Sequence, residues 1–66
     1  MTAREFVREN LGERCYVEPA EAGRRYGRVA GVSAYDTVVV EFEPYPELGN
    51  VGCSQEWPVE RVTVCK

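Results

Sequence analysis

The cysteines are the first residues of this chain to consider for chemistry. They are Cys15, Cys53 and Cys65, and the sequence contains no histidine. A tetrahedral zinc site would therefore need a fourth ligand from a carboxylate or from a second chain. We favour reduced cysteines that act as small hydrophobic residues, and we predict neither a bound metal nor a cofactor.

Nucleophilic catalysis finds little support in the sequence. It lacks a glycine-rich phosphate-binding loop, and no serine or cysteine stands beside a residue that could act as its base. A reactive thiolate at Cys53 or Cys65 would need a neighbouring cation such as Arg61 or Lys66. We therefore predict no catalytic residue and favour a protein that is not an enzyme.

The large rings with a polar group are the best candidates for a binding site. They are Tyr16, Tyr26, Tyr35, Tyr45 and Trp57. So many rings cannot all fit inside a core of this size, and exposed together they would form a peptide groove or a cage for methylated lysine. The alternative is that Trp57 closes one end of the core while the tyrosines lie singly on the surface. We take these five residues and Gln55 as the candidate binding residues.

Size and charge limit the classes of partner. A chain of 66 residues, 44% hydrophobic and 29% charged, has room for one domain with a small core. Its net charge of −3 gives duplex DNA or an anionic membrane little to bind, although Arg24, Arg25 and Arg28 form a local basic group. No apolar run approaches the roughly 20 residues that span a bilayer, and segment 1–10 is too charged for a signal peptide. We expect a cytoplasmic protein without membrane contact.

The amino-terminal segment predicts a helix over about residues 2–11. Thr2 and Glu5 have the spacing of a capping box, and Gly12 is a natural stop. Three apolar residues recur at helical spacing and should face the core: Phe6, Val7 and Leu11.

Beyond the helix, the apolar residues alternate with period two, which predicts strands. The expected strands lie within residues 13–19, 25–33, 37–43, 51–57 and 61–65. Gly27 and Gly31 suggest a bulge or a close backbone approach in the second strand. A single helical or 3₁₀ turn is expected after Pro58, with Val62 and Val64 pointing inward in the last strand.

Side-chain phase and charge raise three further expectations. Val39 points away from Val38 and Val40, so it lies either under the helix or in an exposed patch used for self-association. Cys15 points inward and Cys65 outward, so we predict no disulfide between the first and last strands. The carboxylates Glu41, Glu43 and Glu47 form either a negative surface that attracts a basic partner or a solvated polar face.

These elements predict a mainly β fold: a five-stranded antiparallel barrel over about residues 12–65 with a short N-terminal α-helix, in one domain. The segments LGERCYVEP, YGRVAGV, TVVVEFE and EWPVERVTV resemble the Src-homology-3-like small barrels, which include KOW and Tudor domains. The resemblance implies a fold and leaves the function open.

Three short runs also resemble the plasmid-borne type II dihydrofolate reductases: Gly12–Cys15, Gly27–Gly31 and Ser54–Pro58. This resemblance implies four chains around one pore that holds folate and a nicotinamide cofactor, with Gln55 among the pore residues. Glu56 stands where that family has an isoleucine, and its carboxylate would repel both anionic ligands.

We predict a non-enzymatic interaction module that binds a protein or peptide through surface aromatic and acidic residues. Homo-oligomerisation through the face of Val39 is part of this hypothesis. One alternative is a diverged type II reductase-like tetramer. The other is a barrel that binds single-stranded nucleic acid, with arginines on phosphates and tyrosines stacked on bases.

Overall fold

The computed structural model describes residues 1–18, 23–42 and 53–65. Its elements are α1 (Ala3–Asn10), β1 (Arg14–Val17), β2 (Arg25–Val32), β3 (Val38–Phe42), β4 (Cys53–Trp57), a 3₁₀ turn (Val59–Arg61) and β5 (Val62–Val64). The strands form one antiparallel sheet in the order β4-β3-β2-β1-β5. The mainly β fold with a short N-terminal helix is therefore confirmed. Over the described ranges the sheet is not closed, because β4 and β5 are its outer strands, so the barrel stays a prediction.

Helix α1 begins at the predicted cap. The Thr2 hydroxyl oxygen accepts a hydrogen bond from the Glu5 backbone N–H at 3.1 Å, and the same hydroxyl donates to Glu5 Oε1 at 3.1 Å. These contacts satisfy a backbone donor that the first turn would otherwise leave unpaired. The helix has eight residues, and no helix in the described part of the chain is long and apolar enough to cross a membrane.

The apolar face of α1 differs from the prediction at its last turn. Phe6 and Val7 are buried as expected, but Leu11 is 63% exposed, so its predicted place in the core is wrong. Leu11 already has an extended backbone with ψ 128°, and Gly12 follows with φ 82°, so the chain has left the helix there. Asn10 takes the buried position instead, and its Nδ2 donates to the Phe6 carbonyl oxygen at 2.9 Å.

One side of the sheet packs against α1 and forms the core. The core residues are Ala3, Phe6, Val7, Cys15, Val17, Val29, Val38, Val40, Phe42 and Val62. We call this covered side the inner face and the opposite side the outer face. Val62 is buried and Val64 packs against the core, which confirms the predicted phase of β5. Val39 lies on the outer face and is half-buried, so the helix does not cover it.

The predicted irregularity in β2 is a bulge. The register with β3 shifts between Val29 and Gly31, which leaves Ala30 as the extra residue. A bulge bends a strand and strengthens its twist. It therefore sets the angle at which the second half of β2 leads into the turn before β3.

Candidate functional site

The structure brings together four of the six candidate binding residues, as two separate pairs: Tyr16 with Tyr26, and Gln55 with Trp57. Tyr16 and Tyr26 are direct cross-strand partners on the outer face of β1 and β2. Tyr35 lies apart from them in the turn between β2 and β3 and is 85% exposed. Gln55 and Trp57 belong to β4, and Tyr45 lies outside the described residues. The candidate residues therefore do not form one surface among the described residues, but Tyr16 and Tyr26 lie side by side on the outer face.

The tyrosine pair has the geometry of an aromatic contact. The ring centroids of Tyr16 and Tyr26 are 5.7 Å apart, with 54° between the ring planes. Both side chains are half-buried. Tilted ring pairs at this separation are attractive, and cross-strand aromatic pairs stabilise a sheet. The contact between the two rings therefore stabilises the outer face of β1 and β2.

Arginines cover both rings. The guanidinium carbon of Arg24 lies 4.3 Å from the centroid of Tyr16, and that of Arg14 lies 4.8 Å from the centroid of Tyr26. Each distance is within the range of a cation–π contact. We call Tyr16, Tyr26, Arg14 and Arg24 the tyrosine–arginine cluster.

Arg24 connects the cluster to the neighbouring loop. Its Nε donates to Glu18 Oε1 at 3.2 Å. The pKa of Arg24 is raised, chiefly by a hydrogen bond with the Tyr26 side chain. The charge interaction with Tyr16, and the hydrogen bond and charge interaction with Glu18, raise it further. Arg24, which is charged at any physiological pH, therefore contacts both rings and Glu18.

The cluster is unsuited to a methyl-lysine cage, one of the two uses expected for these rings. Such a cage needs ring faces that are open to a cationic guest. Here the cationic side chains of Arg14 and Arg24 already occupy the ring faces. The groups left accessible are the N–H edges of the guanidinium groups, which can donate hydrogen bonds, and the edges of the rings.

A row of charged and polar residues crosses the outer face beside the cluster. Cross-strand pairing places Arg14 opposite Arg28, Arg28 opposite Glu41, and Glu41 opposite Ser54. We call these four residues the central row. All four are exposed, and Arg28 Nη1 donates to the Gly12 carbonyl oxygen at 3.0 Å. The row is basic on β1 and β2 and acidic on β3.

A shallow depression of about 350 Å³ lies at the β3–β4 side. It is lined by Ser33, Val39, Ser54, Gln55 and Glu56. Among the described residues that line it, Glu56 is the only one with a charged side chain. The depression therefore favours a ligand with a cationic group.

A hydrogen-bond chain orients Glu56. The Thr37 hydroxyl donates to Glu56 Oε1 at 3.0 Å, and it lies 2.6 Å from the Ser33 hydroxyl oxygen. Since a hydroxyl has one proton to donate, Ser33 must donate to Thr37. The serine proton is thus directed toward a threonine, so this chain anchors the β2–β3 turn to β4 and does not activate Ser33 as a nucleophile.

Gln55 and Trp57 form a smaller pair within β4. The Trp57 indole N–H donates to Gln55 Oε1 at 3.2 Å. Trp57 is half-buried and packs against the core beside its cross-strand partner Val38, in agreement with a structural role for the ring. Gln55 and Cys53 are both exposed, although they share the inner phase of their cross-strand partners Val40 and Phe42.

The three arginines of the basic group are divided between the two faces. Arg28 lies on the outer face, and Arg24 contacts the outer rings. Arg25 shares the inner phase of Val17, and its guanidinium carbon lies 4.2 Å from the centroid of the Phe42 ring. Arg25 therefore covers one end of the core instead of extending a basic outer surface.

Arg14 is the member of the tyrosine–arginine cluster that was not predicted from the sequence as a surface candidate. It stands two positions before Tyr16, so strand alternation alone places both on one face. The contact with Tyr26 depends in addition on the pairing of β1 with β2. The strand phase could have identified the face of Arg14, but its aromatic partner required the register.

The cysteines are free thiols in the structure. Cys15 is buried, and burial raises its pKa from 9.0 to about 11, with a further contribution from nearby Cys65. In the described ranges, no group of three or more histidine, cysteine, aspartate or glutamate residues could hold a metal ion.

Comparisons of the chain with protein-family models, curated proteins and solved structures find no significant match.

Proposed function

We propose that this protein is a non-enzymatic interaction module that binds a polypeptide partner through the outer face of its sheet. The observation that carries the proposal is the tyrosine–arginine cluster on that face. Tyrosine and arginine are enriched among the residues that dominate the binding energy of protein interfaces. Since ring and guanidinium contacts already hold these side chains, binding would cost little additional side-chain entropy.

The distribution of charge favours a polypeptide over single-stranded nucleic acid. A nucleic-acid groove combines stacking rings with a continuous run of cations along the backbone path. Here Arg24 is paired with Glu18, and Arg28 lies opposite Glu41. Arg25 belongs to the inner face. A surface that carries charges of both signs suits a protein partner with the complementary charge pattern.

We also propose that the sheet belongs to the Src-homology-3-like group that the sequence resembles. The 3₁₀ turn of Val59–Arg61 directly before β5, and the pairing of β5 with β1, support this assignment. A crystal structure with hydrogen bonds that close the sheet into a barrel would agree with it. An open sheet in the crystal would rule it out.

The proposed function can be tested with a displayed library of random peptides. Peptides selected on the wild-type protein are synthesised, and their affinity is measured by fluorescence anisotropy for wild type and for a Tyr16→Ser/Tyr26→Ser double variant. Loss of a binding hot spot weakens affinity about 30-fold or more. Tyr35→Ser is the matched control, because Tyr35 is equally a tyrosine but lies outside the cluster, and it should change affinity less than about twofold.

Two results would contradict the proposal. One is peptide binding that is insensitive to the double variant while circular dichroism shows that the variant is folded. The other is failure to select any peptide while single-stranded oligonucleotides bind with a strong dependence on salt. Titration with NADPH in the same series tests the reductase alternative, which requires cofactor binding.

A further inference from the structure

We infer that the polypeptide partner is a second copy of this chain, docked with its outer face against the outer face of the first. This inference rests on the proposed function, because it names the partner for the same face. Its basis is a division of charge across that face. Arg14 and Arg28 lie on the β1–β2 half, whereas Glu41 and Glu56 lie on the β3–β4 half.

The central row makes this division self-complementary. Its order across four neighbouring strands is Arg14, Arg28, Glu41, Ser54, and strands lie about 4.8 Å apart, so the row extends over about 14 Å. A two-fold axis that runs along the strands between β2 and β3 reverses this order in the second copy. Arg28 of each copy then faces Glu41 of the other, and Arg14 faces Ser54. Sheets that pack face to face are about 10 Å apart, a distance that an arginine and a glutamate can bridge together.

The other simple two-fold arrangement is electrostatically unfavourable. In that arrangement the two-fold axis is parallel to the sheets and perpendicular to the strands. Each strand then packs against the equivalent strand of the second copy. Arg28 would then face the β2 strand that carries the second Arg28, and Glu41 would face the β3 strand that carries the second Glu41. Like charges opposed in this way disfavour association. The charges therefore select the axis that runs along the strands.

In the inferred dimer, Arg14 of each copy lies close to the depression beside β4 of the other copy. Ser54, which faces Arg14 of the second copy, and Glu56 both line the depression and lie two residues apart on one face of β4. This separation is about 7 Å, within reach of an arginine side chain. Thr37 holds one carboxylate oxygen of Glu56 by a hydrogen bond, and the carboxylate has capacity for a guanidinium as well.

A charge exchange tests this inference. Variant A carries Arg14→Glu and Arg28→Glu, and variant B carries Glu41→Lys and Glu56→Lys. Each variant alone places like charges across the inferred interface, whereas a mixture of A and B restores opposite charges at every contact. Molar mass is measured by light scattering over about 1 μM to 1 mM, where interfaces of modest area associate.

Two helix variants are the controls for net charge. Arg4→Glu/Arg8→Glu shifts the net charge as variant A does, but its residues are exposed on α1, which covers the inner face. Glu9→Lys/Glu60→Lys is the corresponding control for variant B, with Glu9 on α1 and Glu60 in the 3₁₀ turn. Circular dichroism establishes that each variant is folded.

The inference predicts a wild-type mass that rises toward twice 7.5 kDa with concentration and falls when salt is added. Variants A and B should be monomers, their mixture should form a heterodimer, and the helix variants should dimerise like wild type. A wild-type monomer at the highest concentration, or a mixture of A and B that stays monomeric, overturns the inference. A monomer that still binds selected peptides through its tyrosine pair would leave the proposed function standing and refute only the second copy as partner.

Discussion

Gly27 of β2 lies directly opposite Phe42 of β3, and the two backbones approach so closely that no side chain fits at Gly27. A Cβ atom there would contact the Glu41 carbonyl oxygen and lie 3.0 Å from Phe42 Cα. On the other side of β2, Gly27 pairs with Cys15. The close approach thus places the buried residue Phe42 directly beside β2, the strand that carries Arg28 on its outer face.

Substitution of Gly27 by alanine should therefore destabilise the fold. The added methyl group forces the backbones of β2 and β3 apart, and overpacking of this kind costs about 1–3 kcal/mol. Gly31→Ala is the matched control in the same strand, because a Cβ at Gly31 meets no atom within 4 Å, and it should change stability by less than about 0.5 kcal/mol. Urea unfolding monitored by the fluorescence of Trp57 measures both. Equal losses in the two variants would show that the close approach is not present in solution.

The two faces of β3 should respond differently to truncation. Val40 is fully buried on the inner face, and Val40→Ala should cost about 2 kcal/mol, because two methylene equivalents and a cavity are involved. Val39 is half-buried on the outer face, and Val39→Ala should cost less than about 1 kcal/mol. Unfolding is measured at low protein concentration, where association contributes little to stability. A larger loss for Val39→Ala would reverse the assigned phase of β3.

The cap of α1 should contribute measurably to stability. Thr2→Ala removes the oxygen that accepts the Glu5 N–H and should cost about 1 kcal/mol of unfolding free energy. Thr2→Ser keeps a hydroxyl at the same position and should retain most of that stability. Thermal unfolding followed by circular dichroism compares the three proteins. The cap contact would be refuted by a serine variant as unstable as the alanine variant.

The three thiols should react in an order set by their exposure. Cys53 is exposed, and iodoacetamide at pH 8 should modify it first, whereas buried Cys15 should react only when the structure opens. Mass spectrometry of proteolytic peptides locates the label over time. A reagent added in denaturing urea provides the control, since all thiols are then accessible. Rapid labelling of Cys15 in the native protein would contradict its burial.

The raised pKa of Cys15 predicts a loss of stability at alkaline pH. The folded thiol keeps its proton up to about pH 11, whereas the unfolded thiol releases its proton near pH 9.0. The unfolded state therefore binds fewer protons in this window, so the contribution of Cys15 is fully present below pH 9.0 and declines as the pH rises toward 11. Urea unfolding of wild type and Cys15→Ala at several pH values isolates the effect. The difference between their stabilities should shrink across the window, and a constant difference would refute the shift.

Local patterns were sufficient for much of the fold. The period of two in VVVEF placed Val38 and Val40 on the buried face, and the spacing of Thr2 and Glu5 located the helix start, because both features depend on residues close together in sequence. Leu11 was wrongly assigned to the core because helical spacing continues in the sequence after the helix has ended. The residue at which a short helix ends depends on the path that the chain takes from the helix to β1.

The chain by itself determined the strands, the helix cap and the inward phase of Cys15. Only the tertiary structure decided that Tyr16 meets Tyr26 under Arg24 and that Arg25 turns to the core. It also decided that Arg14 and Arg28 lie on the opposite half of the outer face from Glu41 and Glu56. These relationships depend on the register between strands that are distant in sequence, and a shift of one residue would move every side chain to the other face. Tyr16 and Tyr26 meet because packing of the inner valines against α1 selects a single register.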